Sequence, residues 1–174
     1  MAYEDLLHFL QNVGKDPSRL IFEDELTGIY NRRFLLNYLQ YKVPWDSIEN
    51  RPVSLLMMDV DHFKQINDTL GHHVGDLLLR SVADRLKKIL RKSDLIARHE
   101  ADDSISYVSR FGGDEFALLI TDLKQPHDAA NVAQRALYEL SRAFVLDEHE
   151  IFISSSIGIS LYPSDGKDAN TLIK

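Results

Sequence analysis

Apolar residues recur along the chain in two periods, and the places where each period stops mark out the elements. In residues 3–13, YEDLLHFLQNV, Leu6, Phe9, Leu10 and Val13 keep helical spacing, and Gly14 suits the end of that helix. DPSRL reads as a break. After Thr27 and Gly28, Phe34, Leu35, Tyr38 and Leu39 line one face of a second helix, which Pro44 ends. PVSLLMMDV (52–60) is a short apolar run between a proline and an aspartate, the mark of a strand buried on both faces. HFKQIND predicts a short helix or turn, and GDLLLRSVADRLKKIL (75–90) a helix with Leu78, Val82, Leu86 and Ile89 inward.

Beyond residue 94 the pattern shortens. Leu95–Ala97 reads as a brief strand, and HEADDS as an acidic loop with Asp102 and Asp103 in solvent. ISYVSRF alternates and FALLI follows two glycines, so 105–120 predicts a hairpin connected by Gly112 and Gly113. Residues 128–144 predict a helix with Ala129, Val132, Ala136, Leu137, Leu140 and Phe144 on one face. EIFISSSIGISLYP alternates at Ile151, Ile153, Ser155, Ile157, Ile159 and Leu161, as one strand does. A turn at Asp165–Gly166 then leads into ANTLIK, where another helix would begin. Helices and strands in this order, with a hairpin in the middle, predict a mixed sheet covered by helices.

Composition narrows the class. A chain of 174 residues fits one domain with a real core, and 44% hydrophobic with 27% charged residues is ordinary for a soluble protein. A net charge of −7 argues against a surface built to hold long nucleic acid, while leaving room for a small phosphorylated ligand held through a metal. With no cysteine, disulfides, thiolate catalysis and cysteine-ligated zinc are all excluded. No run of about 18 apolar residues occurs, and MAYEDLLHFL lacks the basic region of a signal peptide, so a cytoplasmic location with no membrane segment is expected.

The chemistry gathers at two places. Asp59 and Asp61 end the first long strand, one residue apart and so on one face, and Asp114 and Glu115 follow the glycine pair of the hairpin. If the hairpin lies beside that strand, Asp59 and Asp114 converge, and two close carboxylates repel unless a cation lies between them. A hard divalent ion such as Mg²⁺, with oxygen ligands and room for phosphate, meets that need. Glycines at 112 and 113 let backbone approach a ligand, and Lys64, one turn on, offers a charge to phosphates. The bland alternative is a solvated hairpin tip. DVDHFKQIND fails as a calcium loop, because Lys64 stands where that loop needs glycine. The adjacent His72 and His73 face different ways on a helix, which disfavours a histidine metal pair, and no GxGxxG or GxxxxGK[ST] phosphate loop occurs.

RFGGDEFALLI (110–120) resembles the signature of the GGDEF domain, the diguanylate cyclases. DELTGIYNRRFL (24–35) is similar to that family's opening segment, MDVDHFKQINDTLGHHVGD (58–76) to its metal- and guanine-binding stretch, and SSSIGISLYPSDG (154–166) to its late strand. The blocks keep the family's order. The resemblance implies a palm-like α+β fold, akin to nucleotidyl cyclases, with a central, largely antiparallel sheet flanked by helices. It implies residues 1–20 as an N-terminal signalling or linker helix that helps set dimerisation, the alternative being a helix that only packs on the domain, and 21–174 as the GGDEF domain.

It also implies a reaction in which two GTP condense to the second messenger cyclic di-GMP and two pyrophosphates, within a homodimer of facing domains. Carried over by position, Asp59, Asp114 and the Val60 carbonyl would bind Mg²⁺, or Mn²⁺ in its place. Glu115 would assist deprotonation of the attacking hydroxyl or bind metal. Phe63 and Lys64 would face the phosphates, with Lys64 counted among the catalytic groups. Asn67 and Asp76 would read guanine, whose N–H and amino groups a carboxylate accepts and adenine cannot match. Gly112 and Gly113 would let the nucleotide pass, and Arg91 with Asp94 fit the family's RxxD product-inhibition pattern.

The chain departs from the pattern in three ways. It ends at Lys174, where the family continues into a last helix and strand whose basic residues meet phosphate; these are expected to be missing here. RHEADDSISYVSR (98–110) resembles an insertion of about a dozen residues, and Leu70 stands where an aromatic is common. The rival expectation is a catalytically impaired GGDEF module that binds GTP or cyclic di-GMP and regulates an attached domain. A generic palm acting on another nucleotide is disfavoured by Asn67 and Asp76.

Overall fold

The computed structural model describes residues 17–41, 53–97, 106–121, 123 and 125–174, and their side chains except at 17–18 and 91–97. The helix expected over 3–13, Pro44, Asp102 and Asp103 lie outside the described residues. The described chain opens on α1 (Pro17–Phe22), where a break was expected: Pro17 is its first residue, a place where the missing N–H is no loss. A two-residue strand, β1 (Tyr30–Asn31), leads into α2 (Arg32–Tyr41). Asn31 fixes that entry. Its Oδ1 accepts from Phe34 N–H at 3.0 Å as a helix cap, while its Nδ2 donates to the carbonyls of Ile21 and Glu23 at 3.0 and 3.2 Å.

β2 (Val53–Val60) is followed by α3 (Phe63–Leu70) and the long α4 (His72–Ala97). Leu95–Ala97, expected as a strand, continue α4. The hairpin strands β3 (Ser106–Gly112) and β4 (Glu115–Ile120) come next, then α5 (His127–Ser141). The alternating stretch expected as one strand is two. β6 (His149–Ile151) pairs with β5 (Phe144–Leu146) in a separate small sheet, and β7 (Ser155–Tyr162) joins the main one. Phe144, expected on the helix, therefore opens β5, though it stays buried. A four-residue α6 (Ala169–Leu172) closes the described chain, capped by Asp168 accepting from Thr171 N–H at 3.0 Å.

The main sheet has the order β1-β3-β4-β2-β7, antiparallel throughout except for the parallel β1–β3 pair. Its two faces explain the unbroken apolar run of β2. Leu56, Met58 and Val60 pack with Phe116 and Leu118 under α4 and α5. Leu55 and Val53 pack with Ala117 and Leu119 under Leu35 and Leu39 of α2 and Leu172 of α6. A strand covered on both sides cannot alternate apolar and polar residues. The result is a palm-like α+β fold with a largely antiparallel sheet flanked by helices.

Arg85 holds the far side together. From α4 it donates to the carbonyls of Glu139 (2.8 Å), Arg142 (2.6 Å) and Ala143, where α5 ends, and its guanidinium lies 3.4 Å over the centre of the Phe144 ring. A planar fork reaches several acceptors while stacking on a ring; an ammonium does not. Arg85→Ala is expected to cost about 1.5–3 kcal/mol in urea unfolding, the range for hydrogen bonds to charged groups, and Arg85→Lys to recover little of it.

Candidate active site

β2 and β4 pair so that Asp59 stands directly opposite Glu115, with Ser156 of β7 on its other side. The turn between β3 and β4 is Gly113–Asp114, one residue later than expected: Gly112 is still in β3, opposite Glu115, after a bulge past Arg110. Gly113 has φ +50°, the left-handed region that glycine enters without strain. The Asp114 carbonyl accepts from Val60 N–H at 3.3 Å, which ties the turn to the end of β2. Asp59, Val60, Asp114 and Glu115 are thereby held at one end of the sheet.

Their charges act on one another. Although Asp59 is exposed to water at the sheet's end, surrounding protein partly desolvates it. That burial, then the charges of Asp114, Glu115 and Asp61, push its carboxyl above its ordinary value. This is the condition a divalent cation relieves, and two carboxylates with a backbone carbonyl are suitable donors for one. Among the described residues no group of three His, Asp or Glu side chains is arranged to hold a metal, so the fit rests on that smaller set.

Asp61, grouped with Asp59 in the sequence, is placed differently. It lies one residue beyond β2, where Ser154 and Ser156 donate their hydroxyls to its carboxylate at 2.6 and 2.9 Å, and its own N–H donates to the Ser154 carbonyl at 3.1 Å. The Ser154 bond first, and the Ser156 bond after it, hold Asp61 below the usual carboxylate value. It clamps β7 to the strand-to-helix junction.

A second strut comes from outside the sheet. Arg110 donates Nε–H to the Gly113 carbonyl at 2.9 Å, and its Nη1 reaches Asp24 Oδ1 and Oδ2 at 3.1 and 3.3 Å. Asp24 also accepts from Thr27 N–H (2.9 Å) and Oγ1–H (2.6 Å). Burial works against ionisation of Asp24, but the Thr27 and Arg110 bonds together outweigh it and hold the carboxyl below its usual value. The segment before β1 thus braces the turn that carries Asp114.

Residues 21–174 match the family described as diguanylate cyclase, GGDEF domain. The chain belongs to the GGDEF domain family. It is 38% identical over 164 residues to MucR of Pseudomonas aeruginosa, named a bifunctional diguanylate cyclase/cyclic di-GMP phosphodiesterase, across 94% of this chain and 22% of MucR. NbdA of the same organism, named a cyclic di-GMP phosphodiesterase, is 34% identical over 169 residues, across 97% of this chain and 20% of NbdA. The chain therefore spans about a fifth of the length of these two relatives. The crystal structure of a sensory box/GGDEF family protein from Caulobacter crescentus matches with a TM-score of 0.72 at 35% identity, over 87% of this chain and 90% of that one.

Within this GGDEF domain, Phe63 and Lys64 form the first turn of α3, Phe63 half-buried against the core and Lys64 exposed. Asn67, later in α3, lies against Gly75 in the first turn of α4, and the exposed Asp76 follows. Arg91 and Asp94 fall in the last turns of α4, with Arg91 roughly 22 Å along the helix from Asp76 at 1.5 Å per residue; their side chains lie outside the described ones. No described helix is long and apolar enough to cross a membrane. Sequence reasoning missed the Arg110–Asp24 strut and the clamp from Ser154 and Ser156. Their only local signal is a polar residue at the edge of an apolar run.

Three measurements follow from these charges. Because the Asp59 value is raised on folding, its ionisation opposes folding, and stability falls as pH climbs from the ordinary carboxylate range through the raised value. Asp59→Asn is expected to melt higher than the parent at neutral pH in metal-free buffer, with the gap closing below about pH 4; equal melting at neutral pH would remove the repulsion argument. Arg110→Ala is expected to cost about 1.5–3 kcal/mol in urea. Asp24, held low, contributes stability present above the ordinary carboxylate value and lost as pH falls through the depressed one. The gap between parent and Asp24→Asn should accordingly narrow on acidification.

Proposed function

We propose that the domain is a diguanylate cyclase, condensing two GTP into cyclic di-GMP and two pyrophosphates in a two-fold pair of domains. The observation that carries this is the antiparallel register that sets Asp59 against Glu115 with Asp114 at the adjoining turn. Each bound GTP offers its 3′-hydroxyl to the α-phosphorus of the other. The new 3′-oxygen–phosphorus bond forms as the bond to the β-phosphate bridging oxygen breaks, and pyrophosphate leaves. Glu115, exposed beside the turn, takes the hydroxyl proton. Asp59, Asp114 and the Val60 carbonyl would hold Mg²⁺, or Mn²⁺ in its place; a divalent ion there supplies charge stabilisation for the attacking and leaving oxygens.

Lys64 and Phe63 lie where the triphosphate would run, Gly112 and Gly113 leave its path clear, and Asn67 with Asp76 read the base edge. Two copies are needed because each domain holds one substrate and the reaction joins two, which a two-fold pair satisfies. Arg91 and Asp94, at the far end of α4, are assigned to a product-inhibition site remote from the acids. Residues 1–20 are assigned to the helix that brings the pair together, with the cytoplasm as the place where GTP is met.

A second reading draws on the relative NbdA, named a phosphodiesterase although 97% of this chain aligns with a fifth of it. In that reading the domain binds GTP or cyclic di-GMP and regulates an attached domain without turning over. Incubating the protein, extended through the family's last helix and strand, with GTP and Mg²⁺ and assaying cyclic di-GMP separates the two. Product is expected, abolished in Asp114→Ala and slowed roughly 10²–10⁴-fold in Glu115→Gln, the usual contribution of a positioned general base. GTP binding with no product would favour the regulatory module, and turnover unaffected at Asp114 would overturn the site.

A further inference from the structure

Gly75 is buried in the first turn of α4, and nothing in its backbone asks for glycine: among the described residues the glycines with positive φ are Gly28, Gly71 and Gly113. Glycine inside a helix is less favourable than alanine, so space must be the reason. A Cβ at position 75 would stand 2.0 Å from Asn67 Oδ1, 3.0 Å from Asn67 Cγ and 3.3 Å from Phe63 Cζ. The corner around it is tightly linked. Gly71 N–H donates to the Asn67 carbonyl at 2.9 Å, and Gly75 N–H donates to the Gly71 carbonyl at 3.2 Å.

The colliding atom is the tip of the Asn67 carboxamide, not backbone. An added methyl would therefore turn that side chain to another rotamer and leave α3 and α4 in place. We infer that Gly75 is a specificity-determining position: its missing side chain is the socket that seats the Asn67 carboxamide and so sets the edge shown to a guanine base. The inference rests on the reading of Asn67 as a guanine contact. Asp76 is the next residue of α4, so the socket also fixes the spacing between the two groups assigned to the base.

The test has a stability arm and a binding arm. In thermal melts, Gly75→Ala is compared in the parent chain and in Asn67→Ala, which lacks the colliding atoms. Alanine at 75 is expected to raise the melting temperature in the Asn67→Ala background and to raise it less, or lower it, beside Asn67. The same shift in both backgrounds overturns the socket, as does a Gly75→Ala chain that fails to fold even with Asn67→Ala. In calorimetric titrations with GTP and with ATP, Gly75→Ala is expected to bind GTP about tenfold more weakly, the scale of one lost hydrogen bond, with ATP binding unchanged. If the parent prefers GTP and Gly75→Ala keeps that preference, the specificity role of Gly75 falls and the guanine reading stands. If the parent shows no preference, the guanine reading falls and takes the specificity role with it.

Discussion

A slip of one residue between β2 and β4 would turn Asp59 from the α2 face of the sheet to the α4 face, beside Phe116. The middle of β2 does little to prevent this, because both faces are apolar and a slip there exchanges one buried aliphatic for another. Register is set at the polar end instead. Gly113 supplies a left-handed residue, the Asp114 carbonyl takes the Val60 N–H, and Arg110 takes the Gly113 carbonyl. These bonds let the chain bring three acidic groups, Asp59, Asp114 and Glu115, to one end of the sheet while the rest of it is built from residues that would resist it.

Three aspartates show how far local donors decide what a carboxylate does. Asp59 faces Glu115 and the turn, and is pushed up by partial burial and like charge. Asp61, two residues on, is held down by two serine hydroxyls and works as a clamp. Asp24 is held down despite burial, by Thr27 and Arg110, and works as a strut. An acid whose charge is satisfied by fixed donors stabilises the frame. An acid facing other acids destabilises it, and is retained only if some ligand restores the balance.

Much of this was legible in the chain. The apolar run 52–60, the helix from 75 onward, the hairpin and the family signature all carry their period or punctuation in a few adjacent residues. What failed did so for physical reasons. Ile151, Ile153, Ile157 and Leu161 keep one two-residue period although the chain leaves one sheet at Ile151 and joins another at Ser155; the core continues beneath the break, so the burial pattern does too. Pro17 reads as a breaker but is tolerated at a helix's first residue. The turn moved from Gly112–Gly113 to Gly113–Asp114 because the bulge after Arg110 shifts the pairing by one. The Arg110–Asp24 contact joins residues 86 apart, a separation at which no window of sequence reports.

The acids and the α3–α4 corner that holds Asn67 sit on different elements, and the proposed reaction needs them fixed to a fraction of an ångström. The link between them is short: Val60 ends β2, Asp61 and His62 turn, and Phe63 begins α3. His62 carries φ 60° there, a conformation that costs a non-glycine residue and persists only when its neighbours hold it. The Asp61 clamp to Ser154 and Ser156 lies on one side of it, and the Gln65 N–H to His62 carbonyl bond, at 2.9 Å, on the other. With both ends pinned, α3 has one direction in which to leave the sheet. Asn67 is then carried to the same place relative to Asp59, and Gly75 leaves it room to stay there.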